Sequence, residues 1–210
     1  SYVTRHQDNL QGSAYGIIKP LLLFSVACVL LLLEPDFGSA VVILMIAMGM
    51  MFLGGARLKQ FIILLTLVFA LAASLVIVAP YRMARLVSFI DPFKDYLKSG
   101  YQLSQALISF GRGEVLGVGL GSGIQKLFYL PEAHTDFLFS VIGEELGLIG
   151  VVTVIALYAL LIWRAFVIAS AAERAGQRFP AFIAYGLGIW LGFQSFVNMG
   201  VNMGILPTKG

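Results

Sequence analysis

Charge is what this sequence has least of. Asp, Glu, Lys and Arg make up 12% of its 210 residues, against ~25% in an average soluble domain. A chain so short of charge cannot cover its own surface in water. With 59% hydrophobic residues and a mean hydropathy of +0.91, it falls in the membrane class. Cysteine is nearly absent. Cys28 is the only one and lies inside an apolar run, which excludes an internal disulfide and reads as a small buried apolar group. Histidine is confined to His6 and His134; the topology below puts them on opposite sides of the membrane, which argues against a His-rich metal cage. The net charge is only +3 and no basic run interleaves with aromatics, which leaves nothing for a nucleic acid to bind. A signal peptide is missing as well. Residues 1–16 are polar and do not begin with Met, and the chain stops at Pro207-Thr208-Lys209-Gly210 without a final helix; it reads as a segment of a longer protein.

What is present is a series of apolar runs, at 17–33, 38–53, 61–79, 137–163 and 179–203. They predict an all-α, polytopic membrane helix bundle with five spans, the whole of 1–210 being part of one transmembrane domain. Pro20 suits the first turn of the first helix. That run reaches ~25 Å, short of a ~30 Å hydrocarbon layer. With its equally short successor it forms a hairpin across Glu34-Pro35-Asp36-Phe37, whose tip can sit below the membrane surface if protein surrounds it. A tight turn at 54–60 carries Arg57 and Lys59, and 164–178 reads as a polar connection with three arginines. The lead-in, this turn and this connection together hold seven Lys/Arg against two acids, which makes their side cytoplasmic. The one long polar interval, 80–136, is then an extracytoplasmic loop.

That loop ends in Leu130-Pro131-Glu132-Ala133-His134-Thr135-Asp136, where the fourth run begins. Asp136 is the foremost candidate. At the start of a helix it serves as an N-cap. The positive end of the helix also favours an ionised carboxylate, which is what a general base requires. Glu144 and Glu145 follow ~12 Å further along the same helix; carboxylates at that depth are costly, and pairing with an arginine or a helix end is favoured over catalysis. Arg82 and Arg85, three residues apart, suit either bidentate phosphate contact or lipid headgroups at the interface, and Lys209 reads the same way. Asp36 reads as a cap or, less readily, a cation ligand. The interval from Gly111 to Gly123 holds six glycines. No Gly-Lys-Ser/Thr follows and no strand precedes them, so neither a phosphate loop nor a dinucleotide fingerprint is present. They read as backbone freedom in a loop packed against the membrane face. These features leave three classes open: an enzyme on lipid substrates, a transporter or a scaffold.

Six stretches resemble the SEDS family of cell-wall proteins: Pro35-Asp36-Phe37-Gly38-Ser39, Ser99-Gly100-Tyr101-Gln102-Leu103-Ser104-Gln105, Gly111-Arg112-Gly113-Glu114, Leu130 to Phe137, Gly143-Glu144-Glu145-Leu146-Gly147, and Leu206 to Gly210. Pro131 to Phe137 and Leu206 to Gly210 are closer to its division branch than to its elongation branch. Where the family usually shows Gly-Asn-Ser-Val-Gln, this chain has Gly121-Ser122-Gly123-Ile124-Gln125, which implies a local loop difference. The resemblance implies about ten spanning helices in the family, of which this chain supplies the second half without the last. It implies a peptidoglycan glycosyltransferase that polymerises lipid II at the division septum of the bacterial inner membrane. Asp136 falls on the family's essential aspartate. Arg82, Arg85, Gln102, His134, Thr135 and Lys209 are implied to meet the substrate, with a divalent cation such as Mg²⁺ or Mn²⁺ at the leaving pyrophosphate. Implied partners are a class B penicillin-binding transpeptidase and regulatory membrane proteins of division. The competing expectation, a lipid II transporter, puts more weight on Glu144 and Glu145 than on Asp136. A third, a non-enzymatic division scaffold, tolerates loss of any polar group in the loop.

Overall fold

The first two apolar runs fold into α1 (Tyr15–Leu33) and α2 (Phe37–Leu53), which pack against one another as a hairpin. The Cys28 Sγ of α1 lies 3.6 Å from the Ala40 carbonyl oxygen of α2. This is a computed structural model that describes residues 2–5, 15–34, 37–78, 89–94 and 100–208. Pro35 and Asp36, at the hairpin tip, lie outside the described residues, as do Arg82, Arg85 and Lys209. The described residues form helices and turns, with no strand among them. The other elements are one turn at Tyr2–Arg5, α3 (Leu58–Val78), α4 (Tyr101–Gly113), a π-turn at Gln125–Tyr129, α5 (Leu138–Arg174) and α6 (Arg178–Asn202).

Five apolar helices therefore match the five apolar runs, and the chain is an all-α, multi-span membrane protein. By length and apolarity α5 and α6 both suffice to cross a bilayer, while the apolar parts of α1 and α2 are shorter. Large apolar side chains stand exposed along α1, among them Leu22, Leu23, Val26 and Leu33. Hydrocarbon accepts such a surface and water does not.

Three boundaries differ from expectation. Helix α1 begins at Tyr15, so Pro20 lies inside it rather than in its first turn; the apolar stretch around it carries the helix through despite one missing backbone hydrogen bond. The connection expected at 164–178 is mostly helix: α5 runs to Arg174. Gly176 then ends it at φ +75°, with Gly176 N–H on Glu173 O and Gln177 N–H on Ala172 O, the paired bonds of a glycine C-cap. Polar residues there mark where the helix leaves hydrocarbon, not where it stops. Finally, the interval 80–136 contains α4, a helix of 13 residues.

The chain divides into two compact units. The first takes α1, α2, most of α3, and α5 and α6 between Ala159 and Gln194. There Met48, Met51 and Ala56 pack with Phe61, Leu64, Leu65 and Val68 of α3. Gly49 of α2 and Gly186 of α6 let these two helices approach, a Cβ on either meeting Ile189 or Met50 at 3.2 Å; small residues serve helix contact in membranes in this way. The second unit takes Leu75–Tyr158 and Ser195–Thr208, and it holds the candidate site.

Candidate functional site

The second unit is built around a turn with a regular inside and outside. Leu130, Ala133 and Phe137 are buried with Ala106 of α4, Val141 of α5 and Val201 of α6. Between them Pro131, Glu132, His134, Thr135 and Asp136 are exposed. Three apolar anchors thus hold a polar face outward. Glu132 takes a left-handed φ of +54°, uncommon for a residue with a side chain and a form of strain that gathers at functional sites. Its carbonyl accepts Thr135 N–H at 3.2 Å and Phe137 N–H at 3.1 Å. Its carboxylate accepts the Thr135 hydroxyl at 2.8 Å, so Thr135 locks the turn.

Asp136 does not cap α5. Among the described residues its carboxylate has no hydrogen-bond or ion-pair partner. Asn202 takes the capping role from the far end of α6. Its Oδ1 accepts Ser140 N–H at 3.0 Å and the Ser140 hydroxyl at 2.7 Å. Its Nδ2 donates to Asp136 O at 2.7 Å and to Asn198 O at 2.9 Å. All four hydrogen-bonding sites of one fully buried amide are used. Asn198 Nδ2 adds a second bond to Asp136 O at 3.1 Å. The backbone of Asp136 is pinned twice from α6 while its side chain is left available.

Two asparagines four residues apart on an apolar span were the signal for this clamp, because amides at membrane depth are expensive unless paired; sequence reasoning passed over them. Asn202→Ala removes the acceptor of the Ser140 hydroxyl and one of the two acceptors of its N–H, and leaves Asn198 as the single donor to the Asp136 carbonyl. It is expected to cost ~2–3 kcal/mol of stability, read as earlier thermal unfolding in detergent.

Of the other expected site residues, His134 is exposed on the same turn. Gln102 is half-buried on α4, one turn before the Ala106 that packs under the turn. The structure therefore gathers Gln102, His134, Thr135 and Asp136 in one unit. Among the described residues no three His, Cys, Asp or Glu side chains cluster to hold a metal.

Glu144 and Glu145 are both paired, Glu144 with an arginine, as the structural reading of them expects. Glu144 is fully buried. It accepts Ile124 N–H at 3.0 Å and Gln125 N–H at 3.2 Å, with Arg112 Nη1 at 3.5 Å. Glu145 accepts Lys126 Nζ. The two carboxylates anchor the start of the π-turn that leads into Leu130. Arg112 and Lys126 had not been singled out.

Just beyond, α5 is broken at Gly147, at φ 63°, ψ −160°. The glycine-rich segment enters the break and exchanges hydrogen bonds with it. Val118 and Gly119 N–H donate to Glu144 and Glu145 O at 3.0 and 3.1 Å. Leu148 and Ile149 N–H donate to Glu114 and Val115 O at 3.0 and 3.3 Å. These are the groups an unbroken helix would have paired with each other. A Cβ on Gly117 would collide with Glu145 O, and one on Gly147 with Gly117 N. The glycines are there for close backbone approach.

Comparison with known proteins agrees with this architecture. Residues 1–210 match the FtsW/RodA/SpoVE family model, described as a cell cycle protein. The chain is 66% identical over 209 residues to a probable peptidoglycan glycosyltransferase FtsW of Methylomonas methanica, covering all of this chain and 54% of that protein. It is 61% identical to one of the same description from Methylococcus capsulatus, covering 52% of it. The chain thus spans about half the length of the curated relatives it matches. A solved chain from work on structural coordination of polymerization and crosslinking by a peptidoglycan synthase complex aligns over all of this chain and 59% of its own, with a TM-score of 0.72 and 30% identity. Matched from its first residue to its last, and carrying the stretches that first suggested the resemblance, the chain belongs to the FtsW/RodA/SpoVE family of cell cycle proteins.

Proposed function

We propose that the protein containing this chain is a peptidoglycan glycosyltransferase that polymerises lipid II at the division septum, with Asp136 as general base on the extracytoplasmic side of the inner membrane. The observation that carries this reading is the Asp136 carboxylate, exposed, held by its backbone and unpaired among the described residues. The names of the relatives support the activity.

A sugar hydroxyl of one lipid II attacks the anomeric carbon of the donor glycan. The new C–O bond forms as the bond to the lipid pyrophosphate breaks, and the hydroxyl proton passes to Asp136. His134 and Gln102 border the acceptor. Arg82, Arg85 and Lys209 neutralise the departing pyrophosphate. A divalent cation would supply further positive charge there; the described residues offer no ready-made cage for one. The partners are a class B transpeptidase, in keeping with the polymerization and crosslinking complex of the solved relative, and regulatory division proteins.

The transporter alternative relies on Glu144 and Glu145. Both carboxylates are committed to Ile124, Gln125, Arg112 and Lys126, which weighs against a role in carrying substrate. The test is to incubate the full-length protein and its transpeptidase partner with purified lipid II and resolve the products on a gel. Strands from wild type and none from Asp136→Asn are expected. Normal strands from the variant would sink the proposal, and movement of a fluorescent lipid II without polymerisation would favour the transporter.

A further inference from the structure

The segment 115–124 carries no charged residue between Glu114 and Lys126, yet its large apolar side chains point away from the protein. Leu116 is 78% exposed and Leu120 76%, with Val115 also exposed. The backbone hydrogen bonds at the break of α5 fix where this surface lies: Val115 O accepts Ile149 N–H and Glu114 O accepts Leu148 N–H. The exposed loop residues therefore adjoin Leu148, Ile149 and Val152, which are exposed on α5 itself. Of the polar groups of the region, Glu144 is buried and Glu145 is engaged with Lys126, while Glu114 and Ser122 are exposed on either side of Leu116 and Leu120.

We propose that this glycine-rich loop is inserted in the bilayer, with Leu116 and Leu120 among the lipid acyl chains. Three observations favour hydrocarbon over water or a protein partner. The first is the length of α5. Its uncharged stretch between Glu145 and Arg164 has 18 residues, ~27 Å of helix against ~30 Å of hydrocarbon. A bilayer covering that stretch reaches back to the break where the loop docks. The second is backbone satisfaction. Irregular backbone enters hydrocarbon only when its polar groups are paired. Here Gly117 N–H bonds Gly113 O, Val118 and Gly119 N–H bond α5, and Ser122 N–H bonds Gly119 O, so the part of the loop docked in the break meets this condition, though no such bond reaches the N–H of Leu116 or Leu120. The third is continuity, since the apolar loop surface extends the lipid-facing side of a helix long and apolar enough to cross a membrane.

The loop thus acts as an anchor that holds the base of the Asp136 turn at a set depth, through the carboxylates joining it to the π-turn. It does not depend on the proposed activity.

The test uses the full-length protein, its native cysteines replaced, in lipid vesicles. Nitroxide labels are placed at Leu116→Cys and Leu120→Cys, with His134→Cys as a reference on the polar turn. Collision rates with oxygen, which partitions into acyl chains, and with an aqueous nickel chelate report depth. Positions 116 and 120 are expected to favour oxygen several-fold over the reference. A nickel-dominated signal at both positions would place the loop in water and overturn the proposal. Low collision with both reagents would show the surface covered by protein and overturn it equally. Both side chains are exposed, so substitution leaves the fold intact.

Discussion

Asp136→Asn is expected to abolish glycan polymerisation while leaving the fold as stable as wild type. The carbonyl that Asn198 and Asn202 grip belongs to the backbone of residue 136 and survives the change. The carboxylate makes no hydrogen bond or ion pair within the described residues, and asparagine fills the same volume. Surface substitutions of this kind shift stability by no more than ~0.5 kcal/mol. Asparagine cannot take a proton at neutral pH, and loss of a positioned general base lowers rates by ~10²–10⁴-fold. The variant should therefore show unchanged thermal unfolding and strand synthesis below detection. Asn202→Ala acts on both properties while keeping the base: stability falls, and the rate falls because Asn198 alone still holds the backbone of residue 136. If Asp136→Asn unfolded early, the residue would have a structural bond and its availability as a base would be in question.

The bundle was legible because apolar runs in a membrane chain have one use, and five runs became five helices. What misled was reading polarity as an end of structure. Arg164 and Glu173 lie on α5, which continues past the apolar stretch until Gly176 stops it. Helix α4 was hidden for a related reason. Its apolar residues recur at helical spacing, but it lies in a polar interval and its buried face also includes Ser104, Gln105 and Ser109, so polarity again read as loop. Ser109 Oγ donates to Gln105 O at 3.0 Å and Ser104 Oγ lies 2.6 Å from Gly100 O, which lets hydroxyls occupy the interior.

The site shows the same division between local and distant information. Asp136 and its neighbours form one continuous turn and could be found by reading along the chain. The Asn202 clamp joins positions 62 residues apart. The break of α5 joins Gly117 to Gly147, and each glycine is explicable only with the other in view. Six glycines announced a close approach without saying to what.

Disrupting that approach should have the largest effect on stability. Glu144→Ala removes a fully buried carboxylate that serves Ile124 N–H, Gln125 N–H and Arg112 together. Breaking a buried charged network by deleting one partner costs ~3–5 kcal/mol. Arg112 is partly exposed and can turn toward water, whereas the Gln125 amide is buried, so the unpaired amides dominate the loss. Glu144→Gln keeps one acceptor oxygen and should recover part of it. Gly147→Ala attacks the same join through the backbone: it forces a side chain into a left-handed conformation and drives a Cβ into Gly117 N, and relief requires the loop to leave the break. The four exchanged hydrogen bonds would then be lost together, which predicts a penalty comparable to Glu144→Ala and non-additivity in the double variant. Thermal unfolding of the three proteins in one detergent gives the comparison. Additive losses would mean that the carboxylate and the glycine break belong to separate elements, with the π-turn held by Glu144 and Glu145 whether or not the loop occupies the break.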